Sequence, residues 1–450
     1  MRQERSLSVR TLVTIGAGCA FLLIALGVSP GIASDDNDGH KGADALVREN
    51  VGRLIEDGKH TFRYDTFGDE AFWGDKLKLH LAIAGAKQGG VGPGVSPGTA
   101  LAVGLKVDVD ALPETLSSQL AAGKVDLTDP AVTLALLKLN AVVGVTGIFD
   151  NTGRIASMGI QCALCHSTVD NSFAQGIGRR LDGWANRDLN VGAIIALAPD
   201  LSLPANLLGV DQPTVRAVLN TWGPGKFDAE LFLDGKPFQP SGRSAAVLIP
   251  PAFGLAGVNL GTWTGFGSTT YWNALVANLE MHGKGTFFDP RLNDPVQYPV
   301  AVKAGSNDVR SDPDLITSKL AALHFYQLAI PAPKPSVDSM QNQAALRGKE
   351  VFTNRAQCAR CHVPPLFTEP GYNMHAPEEI GIDDFQSSRS PTKMYRTSPL
   401  KGLFTHETGG FYHDGRFATL QAVVDHYDEL FGTGLTQQEK DDLIAYLKTL

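Results

Sequence analysis

Two five-residue units carry the chemistry of this chain: Cys162-Ala163-Leu164-Cys165-His166 and Cys358-Ala359-Arg360-Cys361-His362. Cys-x-x-Cys-His is the spacing that attaches a c-type haem. Each sulfur adds to a vinyl group of the porphyrin, and the adjoining imidazole comes beneath the ring within reach of the iron. The competing chemistries are zinc and a disulfide. A structural zinc site gathers four ligands, usually from two nearby halves. Each unit here brings three, so the two would have to meet in space to build one. They use every cysteine except Cys19, which leaves none for a structural disulfide. The reading is two covalently bound haem c groups, attached at Cys162, Cys165, Cys358 and Cys361, with His166 and His362 as iron ligands.

What lies opposite each histidine differs between the units. No histidine occurs between His166 and His282, so the first iron is expected to keep an open face for a small molecule. The competing ligands come from far off in sequence: His80, His324, Met158, Met281 or His282. Around the second unit the candidates are denser, namely His426 and Tyr427, with Met374, His375, Met394 and His406 in the intervening loops. Glu280 stands among apolar residues at the end of an expected helix. A carboxyl group in an apolar haem pocket can shuttle protons for O–O cleavage, although on spacing alone a solvated helix-end glutamate is the simpler reading.

The surrounding sequence must position these groups. Residues 1–34 read as an export leader: Arg2, Arg5 and Arg10, an apolar run from Thr11 to Val28, then a small-residue exit. The competing reading is an uncleaved anchor. Export agrees with c-type haem attachment outside the cytoplasmic membrane, so a periplasmic location is expected, with no permanent membrane span after cleavage. The net charge is −8, and removing the leader takes it to −10. That acidity argues against a nucleic-acid partner and suits steering of a basic redox partner.

Periodicity predicts helices over 43–56, 111–122 and 130–143. Residues 88–104, rich in Gly and Pro, read as a loop, and 331–340 as a Pro-rich linker. Beyond it a cytochrome-like frame is legible. A helix over 341–353 precedes the second unit, and Gly348 would permit a close crossing with a last helix that opens on the capping box Thr436-Gln-Gln-Glu439. Between them Leu420, Val423, Val424, Tyr427 and Phe431 form one apolar stripe, with His426 at its edge.

These motifs resemble those of the bacterial dihaem cytochrome c peroxidases and their MauG-like relatives, over about residues 145–450 with a long insertion near 178–240. The specific phrases are Arg347-Gly-Lys-Glu-Val-Phe, Ser398-Pro-Leu-Lys-Gly-Leu and Phe411-Tyr-His-Asp-Gly-Arg-Phe-Ala-Thr-Leu. A further phrase, Gly285-Thr-Phe-Phe-Asp-Pro-Arg-Leu, stands before the second unit where the family has it before the first.

The resemblance implies a mainly α fold: two cytochrome-c-like haem domains (145–335, carrying the insertion, and 336–450) behind an N-terminal extension (35–144). It implies that Trp263 stands between the haems, that Glu280 is the pocket acid, and that the position fourteen residues after His413, Tyr427, is the second iron's sixth ligand. His426 competes, because some relatives use two histidines. Calcium is implied by the resemblance only.

Ordinary peroxidases carry a distal histidine shortly after the first unit. Here Arg179-Arg-Leu-Asp-Gly-Trp-Ala-Asn has none, as in MauG-like proteins and the related rubber oxygenases. The expected function is an oxidoreductase reducing peroxide at the first haem, with electrons relayed through the second from a small donor such as a cytochrome c or cupredoxin. The other readings are an oxygenase or MauG-like modifying enzyme, and a non-catalytic electron carrier.

Overall fold

In the computed structural model, residues 42–450 other than position 407 are described; the leader at 1–34 lies outside them. Val47–Leu450 form one compact unit. The fold is mainly α, with short strands paired two by two. Among the described residues no helix is long and apolar enough to cross a membrane.

The frame of the second unit forms for local reasons. Asn342 caps the helix Gln343–Glu350 by accepting from the Ala344 N–H, and the chain continues as a π-helical turn, Val351–Arg355. Thr436 and Glu439 make the capping box of Gln437–Leu447. The two helices cross at Gly348, where a Cβ would stand 1.9 Å from the Asp442 carbonyl oxygen. Arg347 clamps the crossing, its Nε and Nη2 each 2.7 Å from the Asp442 carboxylate. Phe352, Leu443, Tyr446 and Leu447 bury together there with Leu420 and Val424 of the helix Leu420–Phe431.

The first unit hangs from a hairpin. Val145–Phe149 pairs antiparallel with Ile155–Ile160, and Gln161 N–H donates to the Gly144 carbonyl at 3.0 Å. Gly144 has φ +79°, and a Cβ there would lie 2.2 Å from the Leu164 backbone. The hairpin thus packs directly on the unit. Behind it a large core joins Trp73, Leu77, Leu136 and Met158 to Leu164, Leu189, Leu219 and Ile249. The stretch read as an N-terminal extension therefore supplies side chains to the core behind the first unit.

Several expected boundaries move. Residues 88–104 are not all loop, because Pro97–Ala102 is a helix with Ser96 as N-cap and Pro97 at its first position; there the missing N–H of proline costs nothing. The second and third expected helices are shorter, Glu114–Ala121 and Pro130–Lys138. The latter ends before Asn140, which takes φ +51°. Within the Pro-rich linker, Val337–Met340 forms one helical turn capped by Ser336. The expected helix before Glu280 is Thr269–Leu275 followed by a π-helical turn, Val276–Glu280, a distortion often found at functional sites.

Candidate functional site: two Cys-x-x-Cys-His pockets

At the first unit, Cys162 opens the short helix Ala163–His166. Two backbone bonds pin it from outside: Asn186 N–H to the Cys165 carbonyl at 2.9 Å, and Gly183 N–H to the His166 carbonyl at 2.8 Å. Burial holds the His166 imidazole neutral, pushing its pKa down to about 4 against the opposing pull of the Pro250 carbonyl. Burial likewise pushes the Cys162 and Cys165 thiols up to about 12. A neutral imidazole is the form that binds a metal. Cys162 packs in an apolar cluster with Phe62, Val169, Phe253, Ala277 and Met281, so the turn that carries Glu280 borders this unit.

Glu280 is half-buried. Desolvation drives its carboxyl well above the ordinary range, with Glu230 and Asp228 adding repulsion. Those two belong to a buried charge cluster around Arg389, whose guanidinium meets Asp228 and Asp234 at 2.8 Å. Leu233 packs with Leu275 and Leu279, which seats the 228–234 segment against the Glu280 turn.

The distant ligand candidates are mostly engaged elsewhere. His324 Nδ1 bonds Thr270 Oγ1. His282 stacks on Phe72, ring centroids 3.6 Å apart. His80 is buried beside the Gly74 backbone. Met158 and Met281 are core residues of the clusters that hold Cys165 and Cys162.

At the second unit, His362 Nδ1–H donates to the Phe367 carbonyl at 3.2 Å, which fixes the ring and leaves Nε2 free to bind a metal. Burial lowers its pKa to about 4. Cys358, Cys361 and His362 line a cavity of about 750 Å³, and so do Met374, His406 and Tyr427. The neighbours His426 and Tyr427 part company. Tyr427 faces the cavity, whereas His426 turns its Nε2 to the Ile380 carbonyl at 2.8 Å. His375 also reaches the cavity, but Glu369 and Glu379 hold its two nitrogens at 2.6 and 3.2 Å. Met394 is largely exposed and lies off the cavity lining.

A strip of chain links the two units. Trp263 Nε1–H donates to the Leu248 carbonyl at 2.9 Å, and Leu248 N–H donates to the His413 carbonyl at 2.6 Å. Two residues on, the Pro250 carbonyl lies beside His166, whose Nδ1 makes no hydrogen bond among the described residues. Pro250, Pro251 and Trp263 all line the cavity beside His362.

The donor set fits c-type haem better than zinc. All four cysteines are free. Among the described residues, the one grouping of metal-type donors is Cys361 with Glu369 and His375, so the two units do not pool their cysteines. Each histidine is neutral and sits beside two thiols, and the cavity at His362 has the size of a site for one large ligand. Sequence reasoning missed Arg187, Arg396, Asp228, Glu230 and Arg389. Nothing in their local spacing marks them, because tertiary packing brings them in from elsewhere in the chain.

No family model matches the chain. Among curated proteins it is similar to the methylamine utilization protein MauG of Methylorubrum extorquens, 32% identical over 123 residues, which are 24% of this chain and 34% of that protein. It is also similar to cytochrome-c peroxidase IdrP1 of Denitromonas iodatirespirans, 25% identical over 40% of this chain and 64% of that protein. The IdrP1 of a Pseudomonas species is 27% identical over 26% of this chain and 41% of that protein. The matches thus span between a third and just under two thirds of the relatives' own lengths. These relatives bear out the resemblance to dihaem cytochrome c peroxidases and MauG-like proteins. A chain of Kuenenia stuttgartiensis hydrazine synthase aligns at 18% identity over 49% of this chain and 86% of its own, with a TM-score of 0.27, too loose to bear on the fold.

Proposed function

We propose that this chain is an exported, periplasmic dihaem c-type oxidoreductase that reduces hydrogen peroxide at the first unit and takes electrons through the second. The observation that carries the reading is the strip Leu248–Pro251. It accepts the Trp263 indole N–H at Leu248, borders the His362 cavity and brings the Pro250 carbonyl beside His166, which supports Trp263 as the side chain between the two units. Haem, bound at both units, would supply the electron storage and the iron that receives the oxidant.

The chain's own residues do the rest. His166 and His362 present neutral imidazoles. Tyr427, facing the cavity, is the side chain placed to be the second iron's sixth ligand; His426 is committed to Ile380. Trp263 conducts between the pockets. Glu280 is the proton donor to the departing oxygen of peroxide. Burial, with repulsion from Glu230 and Asp228 added, raises its carboxyl well above the ordinary range and favours the protonated form. The electron donor is a small redox protein, a cytochrome c or cupredoxin.

A second reading, an oxygenase or MauG-like modifying enzyme acting on an organic or protein substrate, is favoured by the tyrosine in the second cavity. By the family pattern that position is methionine in peroxidases and tyrosine in MauG-like proteins.

Electron paramagnetic resonance of the oxidised protein and turnover of Glu280→Gln decide between these readings. A reaction site at the first unit gives one high-spin and one low-spin iron, and Glu280→Gln lowers peroxide consumption with reduced cytochrome c by roughly 10²–10⁴-fold, the range for loss of a general acid. Peroxide turnover untouched by the substitution would remove Glu280 from the mechanism. Two low-spin irons with no spectral response to peroxide or cyanide would make the protein an electron carrier. Oxygen uptake that needs an organic substrate would select the oxygenase reading.

A further inference from the structure

Four nitrogens on three side chains that line the His362 cavity have no hydrogen-bond partner among the described residues. Arg187 is 7% exposed, and its Nε and Nη1 have no hydrogen-bond partner among the described residues. Arg396 gives its Nε–H to the Thr262 carbonyl and its backbone N–H to the Trp263 carbonyl at 3.1 Å, but its buried Nη1 has no partner among the described residues. His406 Nε2 is the fourth. All three residues line the same cavity.

A guanidinium cannot shed its charge in a protein, and a buried cation without an anion is strongly unfavourable. The carboxylates that line the cavity are already engaged. Asp428 bonds Thr433 Oγ1 and Lys440, and Glu379 bonds His375 and the Ala376 N–H. Among the described residues no anion meets these two planar forks, and a ligand that fills the cavity is placed to present one. A haem carries two propionate carboxylates, and the cavity is lined by the thiols and imidazole of a haem-attachment unit.

We propose that Arg187 and Arg396 bind the propionate carboxylates of the haem attached at Cys358 and Cys361. The inference rests on the haem reading of that unit. Its consequence is a physical tie between the two pockets. Arg187 follows directly on Asn186, which hydrogen-bonds Cys165 of the first unit, and Arg396 holds the backbone on either side of the Thr262–Trp263 bond. A haem seated on the second unit would thus be gripped by a residue anchored to the first, and by the residue that fixes the aromatic side chain between them. A guanidinium paired to a propionate also holds positive charge near the ring and favours the reduced iron, as an electron relay requires.

The test uses the holoprotein with Arg187→Gln, Arg396→Gln and the matching Lys variants. A pyridine haemochrome count of two per chain is the precondition; fewer would sink the haem reading itself and is scored separately. The midpoint potential of the His362 haem is followed by spectroelectrochemistry, and the propionate bending bands by resonance Raman. Each Gln substitution is expected to lower that potential, to make it pH-dependent as the released propionate titrates, and to shift a propionate band. Lys is expected to restore the potential but not the band, since it offers charge without a fork. Unchanged potential and bands in haem-replete Gln variants would overturn the proposal.

Should the Gln variants fail to fold, the wild-type protein decides. Titration with inorganic phosphate at constant ionic strength should leave the Soret band unmoved. A saturable phosphate-induced shift would show that the arginines serve a dissolved anion and would overturn the propionate assignment.

Discussion

Asp69 gives a test of how burial near the first unit sets stability against pH. Its side chain is fully buried. Among the described residues its carboxylate accepts the Ile160 N–H, 3.2 Å from Oδ2, at the end of the strand that leads into Cys162. Burial is the largest influence and pushes its pKa up to about 9, with Glu70 and Asp65 adding repulsion and the Ile160 N–H opposing.

The folded pKa thus lies above the unfolded one, near 4. Between those values the folded chain holds a proton that the unfolded chain has lost, so stability falls as pH rises from about 4 towards 9. At pH 7 the gap from the unfolded pKa is roughly three units at about 1.4 kcal/mol each, so about 4 kcal/mol of the stability present at pH 4 is gone. Asp69→Asn offers the same carbonyl oxygen to Ile160 and never ionises. Its amide N–H needs an acceptor, but so does the O–H of the protonated acid. Urea denaturation should find the variant close to wild type at pH 4, more stable by up to about 4 kcal/mol at pH 7, and flatter in its pH profile between them. Parallel profiles for the two proteins, or a variant weaker than wild type at pH 8, would refute the reasoning.

Gly348→Ala should destabilise the frame of the second unit by about 1–3 kcal/mol or more, since the new methyl would meet the Asp442 carbonyl at 1.9 Å and the helices must part; thermal melting followed at the haem band reads it. Arg389→Met leaves Asp228, Glu230 and Asp234 buried without their cation, at a cost of about 3–5 kcal/mol by urea denaturation. Adding Asp228→Asn to that variant should recover part of the loss, and a further loss would disprove the pairing. Thr436→Ala removes the cap of the last helix and should cost about 1 kcal/mol, again read by denaturation.

The parts of the fold that were legible are those whose causes are local. The capping box at Thr436 and the glycine at the helix crossing declare themselves in a few residues. Pro97 shows the limit of the same logic. A proline among glycines signals a loop, yet at a helix's first position it is harmless, and only the Ser96 cap distinguishes the two. The charge cluster around Arg389 was invisible because its members come from positions 228 to 234 and 389, more than 150 residues apart in the chain. It matters nonetheless, since Glu230 and Asp228 add a smaller push to the burial that raises the carboxyl of the half-buried Glu280 well above its ordinary range.

The neighbours His426 and Tyr427, both sequence candidates, are parted by helix geometry. Adjacent residues on an α-helix point about 100° apart, so a flat ligand lying on one face of the helix Leu420–Phe431 meets one of them squarely and not both. The apolar stripe Leu420, Val423, Val424, Tyr427, Phe431 reads as core, and Tyr427 as part of it. In the folded chain all five of those residues line the cavity beside His362, so the stripe faces the space a haem would fill. An apolar helical face is satisfied equally by neighbouring side chains or by a porphyrin, and periodicity cannot distinguish them. What distinguishes them is the tyrosine itself. A hydroxyl on the buried face of a helix needs a partner, and here the groups beside it are Tyr412 and the thiols of Cys361 and Cys358. The polar residue within the stripe, rather than the histidine at its edge, is the one that shares the cavity lining with His362.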